Sequence, residues 1–203
     1  MSAEHGHDSA DGVEAARSRL AAAIAFAITA HGPQTRKGTP VPYVSHLLQV
    51  SGLVLEHGGD LAQAAAGILH DVVEDTAKTL GDVAAAFGAD IAAIVDDCTD
   101  TQEDETPGQK RPWKERKTRY LGKLQGVSER SALVIACDKL HNMRTQVADL
   151  EAFGPGILAR FNAPPEAQRW LHGELLAALD GKVPARLHAE LTRLTERYAA
   201  GTT

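Results

Sequence analysis

The sequence predicts an all-α single domain, and three observations lead to this prediction. Apolar residues recur at helical spacing along most of the chain, and no stretch alternates clearly enough to indicate a strand. Alanine is abundant while aromatic residues make up only 4% of the chain, which favours helices packed through small and aliphatic side chains. A length of 203 residues suits one domain with a substantial core.

The first half of the chain is predicted to contain a short tail and five helices. Residues 1–12 are small and polar, and we expect them to be disordered. Residues 34–42 contain two prolines and a glycine, which indicates a loop. Asp60 and Gln63 form a capping-box pattern that opens the third helix. The predicted helices are 13–30, 43–57, 60–75, 79–88 and 90–99.

The second half is predicted to contain four more helices. An acidic loop over 100–112 precedes a basic helix over 113–124, and Ser128 is expected to cap a long helix that reaches Asp149. After a Gly/Pro-rich break over 153–165, two amphipathic helices are separated near 181–184. We predict that residues 13–150 form the core and that 151–203 form a helical extension of the same domain, either covering the core or making a homodimer contact.

Charge and composition restrict the partners and the compartment. A net charge of −6 argues against general nucleic-acid binding, but a small anionic substrate needs only a few local cations. No apolar run approaches the roughly 18 residues that a membrane helix needs, and the polar N-terminus does not resemble a signal peptide. Cys98 and Cys137 form no C-x-x-C pattern. We therefore expect a cytoplasmic protein that contacts neither membrane nor nucleic acid.

The chemistry is concentrated at the end of the apolar helix 60–75. His70, Asp71, Glu74 and Asp75 follow a run of small and aliphatic residues, and they form two i,i+4 pairs on adjoining stripes. Burying three carboxylates beside an imidazole is costly unless a cation is present, so the pattern indicates a divalent metal site. The alternative is that these side chains form a solvated helix end.

Two further residues strengthen the metal hypothesis. Asp138 lies in the nearly all-apolar stretch 133–140, where a carboxylate needs a partner. Lys139 is adjacent, but neighbouring side chains on a helix point about 100° apart, so a metal shared with the histidine–aspartate pair is the better partner. His46 lies on the helix after the 34–42 loop; a lone histidine there is more often a core or surface residue.

Four candidate metal ligands follow the H…HD…D order and resemble the motif of the HD superfamily. They are His46, His70, Asp71 and Asp138. The flanking residues resemble the hydrolase domain of RelA/SpoT-type alarmone enzymes over roughly residues 15 to 150. The residues that carry this resemblance are Gln34-Thr35-Arg36-Lys37 with Pro42-Tyr43-Val44-Ser45-His46, Leu69-His70-Asp71-Val72-Val73-Glu74-Asp75-Thr76, and Asp138-Lys139-Leu140-His141-Asn142-Met143-Arg144-Thr145. Because 203 residues leave no room for a synthetase domain, the chain resembles a stand-alone small alarmone hydrolase, with an HD-domain helical bundle and two additional C-terminal helices.

The resemblance implies a Mn²⁺ ion and removal of the 3′-pyrophosphate from the guanosine polyphosphates ppGpp or pppGpp. It also implies a role for each matching residue. The metal ligands are His46, His70, Asp71 and Asp138; Glu74 and Asp75 orient and deprotonate water; Arg36, Lys37, Asn142 and Thr145 bind the nucleotide. Independently of the family, Asp138, Asn142 and Thr145 stand at i, i+4 and i+7 on one helical face.

Several alternatives remain open. The ligand types also suit Fe²⁺ or Zn²⁺. Leu47 replaces a proline that is common in the family, and the loop before His46 differs in sequence from the family pattern. The main alternative hypothesis is therefore an HD phosphohydrolase that acts on another substrate, such as NADPH or a nucleoside phosphate. A non-catalytic nucleotide-sensing module is the third hypothesis. A basic cluster is expected either to approach the polyphosphate or to form a solvated face paired with Glu103, Asp104 and Glu105. Its members are Lys110, Arg111, Lys114, Arg116, Lys117 and Arg119.

Other polar and aromatic residues are given ordinary structural roles. We expect His141 to pack or to face solvent. His31, His57, His172 and His188 are expected at helix ends or on the surface, and Trp113 and Trp170 in the core or at an interface.

Overall fold

The structure, a computed structural model, describes residues 10–100 and 111–202. Within these ranges it contains no strand, which confirms the all-α class, and one isolated antiparallel bridge joins Thr35 to Pro42. The helices are α1 (Ala10–His31), α2 (Val44–Glu56), α3 (Leu61–Leu69), α4 (Val72–Asp75), α5 (Leu80–Phe87), α6 (Ala89–Cys98), α7 (Trp113–Leu124), α8 (Glu129–Phe153), α9 (Pro165–Leu179) and α10 (Ala185–Gly201), with a 3₁₀ helix (Pro155–Arg160) before α9. Residues 1–9 of the predicted tail and 101–110 of the predicted acidic loop lie outside the described ranges.

Three helices differ from their predicted bounds by three residues or more, and one of them is α8, which runs to Phe153 instead of ending at Asp149. Helix α1 begins at Ala10, before the predicted start at residue 13, and Asp11 in its first turn favours a helix N-terminus electrostatically. The predicted helix 60–75 is interrupted, because α3 ends at Leu69 and α4 begins at Val72. The backbone of Asp71 has φ −99° and ψ −2°, a region that is sparsely populated and often used in active sites. The interruption allows neighbouring side chains to point to one place, which a regular helix does not.

Helix α3 forms the centre of the bundle. Every residue from Gln63 to Leu69 is buried, and α1, α2, α6 and α8 surround the helix. Its small side chains are needed for this close packing, since a Cβ atom added at Gly67 would lie 3.3 Å from the Cα atom of Ser51 in α2. The residues that follow α3 are therefore held rigidly against α2 and α8.

The C-terminal helices pack on the second half of the bundle. Helix α10 lies along α8, where Arg144 pairs with Glu190 and Arg197 with Glu151, each at 2.6 Å. Helix α9 contacts α7 and α10. The domain bounds at residues 150 and 151 stay a prediction. None of the helices in the described ranges has both the length and the apolar character that crossing a membrane requires.

A tight contact at Gly59 predicts a stability effect. A Cβ atom at this position would lie 2.5 Å from Val54 Cγ1 and 2.9 Å from the Val54 carbonyl oxygen. We expect Gly59→Ala to lower the free energy of unfolding by about 1–3 kcal/mol, measured by urea denaturation. Gly52→Ala is the control, because nothing lies within 4 Å of that Cβ and alanine in a helix is favoured by roughly 0.5–1 kcal/mol. Equal stability of the two variants would contradict this packing.

Candidate metal centre and substrate cavities

The four predicted metal ligands come from three separate parts of the chain and meet in one cluster. His46 lies in the first turn of α2, His70 and Asp71 occupy the break between α3 and α4, and Asp138 lies in the middle of α8. His46, His70 and Asp138 are buried, whereas Asp71 is half-buried. The cluster therefore joins the central helices of the bundle at a point that a small ion can reach from the Asp71 side.

The distances within the cluster match those of ligands around one ion. His46 Nε2 lies 3.2 Å from Asp138 Oδ1 and 3.6 Å from Asp71 Oδ2. His70 Nε2 lies 2.9 Å from Asp71 Oδ2 and 3.5 Å from Asp138 Oδ1. Ligands that share a metal at bond lengths of roughly 2.1 Å stand about 3.0–3.4 Å apart, depending on the coordination geometry. His46, His70 and Asp138 each offer one atom within 4.8 Å of the other two, so these three can bind the same cation, and Asp71 Oδ2 lies beside both imidazoles.

Hydrogen bonds on the far side of each imidazole orient the two rings. His70 Nδ1 lies 2.8 Å from the carbonyl oxygen of Gly67, which accepts only from an N–H, so Nε2 is the nitrogen of His70 that faces the cluster. His46 Nδ1 lies 2.7 Å from Nδ1 of His141. Burial and the adjacent His46 lower the pKa of His141 to about 4, so its ring is neutral, and its Nδ1 accepts this hydrogen bond in the tautomer that carries the proton on Nε2. Nε2 of His46 is then left as a lone pair.

The donor set fits a divalent cation. The Nε2 atoms of His46 and His70 are buried and have no hydrogen bond of good geometry among the described residues, although carboxylate oxygens lie close to them. Burial opposes charge on each of these groups, but the Asp71 and Asp138 carboxylates raise the pKa of His70 well above its usual value, and the proton that His70 then shares with Asp71 holds the pKa of Asp71 well below its own. Burial is likewise outweighed at Asp138, where Lys139 and the same imidazoles keep the pKa low. Two carboxylates and two imidazole Nε2 atoms thus face one point, and a divalent cation bound there would take the place of the shared proton.

Three residues that the sequence analysis did not assign to the cluster hold its carboxylates in place. The hydroxyl of Tyr43 donates to Asp71 Oδ2 at 2.5 Å. Asn142 Nδ2 donates to Asp138 Oδ1, and Lys139 Nζ donates to Asp138 Oδ2, each at 2.6 Å. The expectation that Lys139 points away from Asp138 was wrong, because its long side chain bends back over the intervening 100°. The Pro42-Tyr43 dipeptide three residues before His46 was the available signal for Tyr43.

The Tyr43 contact predicts a change in metal affinity. Burial and the Asp71 and Asp75 carboxylates raise the pKa of Tyr43, so its hydroxyl remains a donor. We expect Tyr43→Phe to weaken metal binding by about 10- to 100-fold, as seen when groups that orient metal ligands are lost. Titrating activity with Mn²⁺ should shift the half-saturating concentration while the rate at saturating metal changes little. An unchanged metal titration would show that Asp71 is held without this hydrogen bond.

Glu74 and Asp75, the predicted water-activating pair, lie in different surroundings. Glu74 hydrogen-bonds to Asp100, and burial with this carboxylate raises its pKa to about 7. Asp100 is buried and pairs with Arg116 at 2.8 Å and with Lys117. Although burial opposes its charge, these cations lower the pKa of Asp100 to about 2, so the proton of the pair resides on Glu74. The role of Asp100 was not predicted, because its sequence context indicates only the start of a loop.

Asp75 belongs to a cavity that contains all four predicted nucleotide-binding residues. Its Oδ2 accepts a hydrogen bond from Gln34 Nε2 at 3.2 Å. This cavity, here called the Thr145 cavity, has a volume of about 430 Å³. Its wall includes Arg36, Lys37, Tyr43, Asp75, Asn142 and Thr145. The structure therefore brings together residues that are more than 100 positions apart in sequence.

Arg36 connects this cavity to the metal cluster. Its Nη2 donates to Asn142 Oδ1 at 2.8 Å, and Asn142 in turn donates to Asp138. Lys37 Nζ donates to Asn162 Oδ1 at 2.6 Å. Thr145 Oγ1 donates to the carbonyl oxygen of His141 at 3.0 Å, as threonine commonly does inside a helix.

A second cavity of about 280 Å³ adjoins the Thr145 cavity at Asn142. This Trp113 cavity is lined by residues of α7, α8 and α9 and by the segment before α9. It shares Lys37, Asn142, Gln146 and Phe161 with the Thr145 cavity. Its other lining residues include Trp113, Arg116, Lys117, Tyr120, Lys139 and His172.

The basic helix α7 has an inward and an outward side. Arg116 and Lys117 reach Asp100 and line the Trp113 cavity, whereas Arg119 pairs with Glu115 at 3.2 Å near the surface. The proposed partners Glu103, Asp104 and Glu105 lie outside the described residues. Trp113 and Trp170 are half-buried and contact each other edge to face, with ring centroids 6.3 Å apart.

The remaining histidines follow the predictions in part. His141 packs inside the bundle, and His31 ends α1 and is buried beside Gln34. For His172 the expectation of a helix end or surface position was wrong. It lies within α9 and is buried because the Tyr198 ring of α10 covers it, with ring centroids 4.9 Å apart.

Comparisons with known proteins agree with this arrangement. The model of the HD domain family matches residues 23–153. A probable guanosine-3′,5′-bis(diphosphate) 3′-pyrophosphohydrolase of Synechocystis sp. is 37% identical over 134 residues, which are 66% of this chain and 17% of that protein. The human guanosine-3′,5′-bis(diphosphate) 3′-pyrophosphohydrolase MESH1 is 36% identical over 136 residues, covering 66% of this chain and 71% of MESH1. The match to Xenopus tropicalis MESH1 spans 64% of that protein.

The fold is shared with a protein of known structure. A metazoan orthologue of SpoT, described as hydrolysing ppGpp and playing a role in starvation responses, superposes with a TM-score of 0.72. The superposition covers 92% of this chain and 97% of the other at 26% identity. The chain therefore belongs to the HD-domain family and, within it, to the group of small hydrolase-domain proteins that includes MESH1.

Proposed function

We propose that this protein removes the 3′-pyrophosphate of ppGpp and pppGpp, giving pyrophosphate and GDP or GTP. The observation that carries the proposal is the cluster of buried His46, His70 and Asp138 with half-buried Asp71, which is linked through Asn142 to a cavity walled by Arg36 and Asn142. The name of MESH1 and the activity of the SpoT orthologue support the same reaction. A cavity of about 430 Å³ is of the size that small-molecule ligands occupy.

The four clustered residues would hold a divalent cation, for which we propose Mn²⁺. Mixed imidazole and carboxylate ligands suit this ion, and they also accept Fe²⁺ or Zn²⁺. When bound, such a cation makes a water nucleophilic near neutral pH and polarises a phosphoryl oxygen. Tyr43, Lys139 and Asn142 keep the two carboxylates oriented, so the geometry is set before substrate arrives.

Hydrolysis requires a base for the water and cations for the phosphates. The water oxygen forms a bond to the phosphorus on the 3′ oxygen, the bond between that phosphorus and the 3′ oxygen breaks, and the 3′ oxygen takes up a proton. Glu74 or Asp75 accepts the proton that the water loses. Arg36 and Lys37 are placed at the cavity wall to pair with phosphate oxygens, which a guanidinium binds through two parallel hydrogen bonds.

The test is product analysis on purified protein supplied with Mn²⁺. Separate reactions contain ppGpp, pppGpp or NADPH, and ³¹P NMR distinguishes pyrophosphate from orthophosphate. We expect pyrophosphate with GDP or GTP from the two alarmones. Efficient release of orthophosphate from NADPH without turnover of the alarmones would replace this proposal with the rival HD phosphohydrolase. Alarmone binding without any turnover would indicate a nucleotide-sensing module.

A further inference from the structure

We propose that the Trp113 cavity binds the terminal phosphate of the 3′-diphosphate, and so makes the enzyme prefer a diphosphate over a monophosphate at the bond it cuts. This inference rests on the proposed function and assigns a part of the substrate to a cavity of its own. The argument depends on the charge of the cavity, its unpaired hydrogen-bond donors and its position relative to the metal cluster.

The wall of the Trp113 cavity carries an excess of positive charge. Four cationic side chains line it, and they come from the 34–42 loop, α7 and α8: Lys37, Arg116, Lys117 and Lys139. Among the described residues the anions paired with them are Asp100, which holds Arg116 and Lys117, and Asp138, which holds Lys139. Lys37 donates to the neutral amide of Asn162. Two positive charges therefore remain for an anionic ligand.

Buried donors at the same cavity lack partners. Arg116 Nε, the Tyr120 hydroxyl and His172 Nδ1 are each buried without a hydrogen bond to any described residue, and all three residues line the cavity. Burial lowers the pKa of His172 to about 4, so its ring is neutral and able to donate through one nitrogen. Unpaired buried donors are costly, and a phosphate supplies several acceptor oxygens at once.

The two cavities meet at the residues that hold Asp138. Lys139 and Asn142 line the Trp113 cavity and donate to the two oxygens of Asp138, and Asn142 also lines the Thr145 cavity. A substrate whose reacting phosphorus lies at the cluster therefore has both cavities next to it. With the nucleoside in the Thr145 cavity, the phosphate that continues beyond the reacting phosphorus extends toward Lys139 and Lys117.

The same cations could instead bind the 5′-diphosphate of the substrate. Substrates that lack one phosphate distinguish binding of the 3′-diphosphate from binding of the 5′-diphosphate. Three guanosine substrates are compared: ppGpp, the analogue with a 3′-monophosphate, and the analogue with a 5′-monophosphate. The variant is Lys117→Met, which leaves Asp100 paired with Arg116. Lys123→Met is the matched control, since Lys123 lies on the same helix, pairs with Asp96 and does not line the cavity.

We expect Lys117→Met to lower kcat/KM for ppGpp by about 10- to 100-fold, the effect of one charge-assisted contact, and to lower it by less than about threefold for the 3′-monophosphate. The 5′-monophosphate analogue should lose as much as ppGpp, and Lys123→Met should change none of the three. An equal loss for ppGpp and the 3′-monophosphate would overturn the proposal, because it would reveal a structural effect transmitted through Asp100. If Lys117→Met lowers kcat/KM for ppGpp but not for the 5′-monophosphate analogue, the proposal is also overturned, because the cavity would then bind the 5′-diphosphate.

Calorimetric titration with inorganic pyrophosphate and orthophosphate gives a measurement that does not need turnover. We expect the Mn²⁺-loaded protein to bind pyrophosphate more tightly than orthophosphate, and Lys117→Met to lose most of this preference. If no guanosine nucleotide is cleaved but the preference is found, the proposed function fails while the phosphate subsite stands. If ppGpp is cleaved and no preference is found, the subsite alone is wrong.

Discussion

Asp71→Ala is expected to abolish tight metal binding and to reduce turnover of ppGpp by at least about a thousandfold. Asp71 Oδ2 lies within 2.9 Å of His70 Nε2 and 3.6 Å of His46 Nε2, so its loss removes one ligand and one of the two negative charges of the cluster. Without a bound cation the water is not acidified, and the developing charge on the phosphate is not offset. This is the largest effect that we expect from a single substitution.

Metal content per chain, measured by elemental analysis after dialysis, should fall together with the rate. Asp90→Ala provides the control, because Asp90 is exposed and its nearest cation is Arg19 at 3.7 Å. A variant at position 71 that keeps one bound metal and a parental rate would mean that three ligands suffice and that Asp71 has another role.

Glu74→Gln is expected to lower kcat by about 10²- to 10⁴-fold while the metal remains bound, which is the usual contribution of a general base. Glu74 must be ionised to accept a proton, and its pKa of about 7 lies close to neutrality. The kcat of the parent protein should therefore rise as the pH rises through about 7, and the residual activity of the variant should not follow this rise. A variant with the parental rate and pH profile would assign the base to Asp75.

Glu74→Gln, which is expected to lower kcat, should raise the stability of the folded protein relative to the parent as the pH rises. The folded-state pKa of Glu74 is raised from 4.5 to about 7, so the folded protein retains a proton that the unfolded chain has lost. The stabilising contribution of this group is present below about pH 4.5 and is lost as the pH rises through about 7. We expect the Tm of Glu74→Gln, relative to the parent, to increase between pH 5 and pH 8. Scanning calorimetry on the metal-loaded proteins measures the difference, and Asp75→Asn serves as the matched control.

Much of the fold was predictable because the signals are local. Helical periodicity, the Asp60–Gln63 capping box and the Ser128 cap each depend on residues a few positions apart, and the structure contains both caps. Three of the proposed metal ligands were also accessible from sequence, since Asp138 interrupts an apolar run and His70–Asp71 ends another. Charged groups in apolar surroundings are unusual enough to attract attention wherever they occur.

The remaining parts of the site depend on contacts between distant segments. The pairing of Asp100 with Glu74 requires the residues after α6 to lie beside α4 and Arg116 and Lys117 of α7 to reach Asp100, and no local pattern indicates this. The break between α3 and α4 was not predicted, because the residue types of His70 and Asp71 are compatible with a continuous helix. The helix is interrupted where the side chains of both residues face the metal cluster. A helical wheel predicts only the direction of the Cβ atom. The side chain of Lys139 is long and flexible, so its Nζ atom reaches a partner that lies in a different direction.

The position of Asp138 in the chain has a consequence for biosynthesis. The ribosome makes His46, His70 and Asp71 first, and at roughly 5–20 residues per second Asp138 follows about 3–13 seconds later. Until α8 is made, Asp138 and Lys139 are missing and α3 lacks one of the helices that bury it. The complete set of proposed ligands therefore exists only after α8 has been made, and nascent chains that stop before α8 lack Asp138.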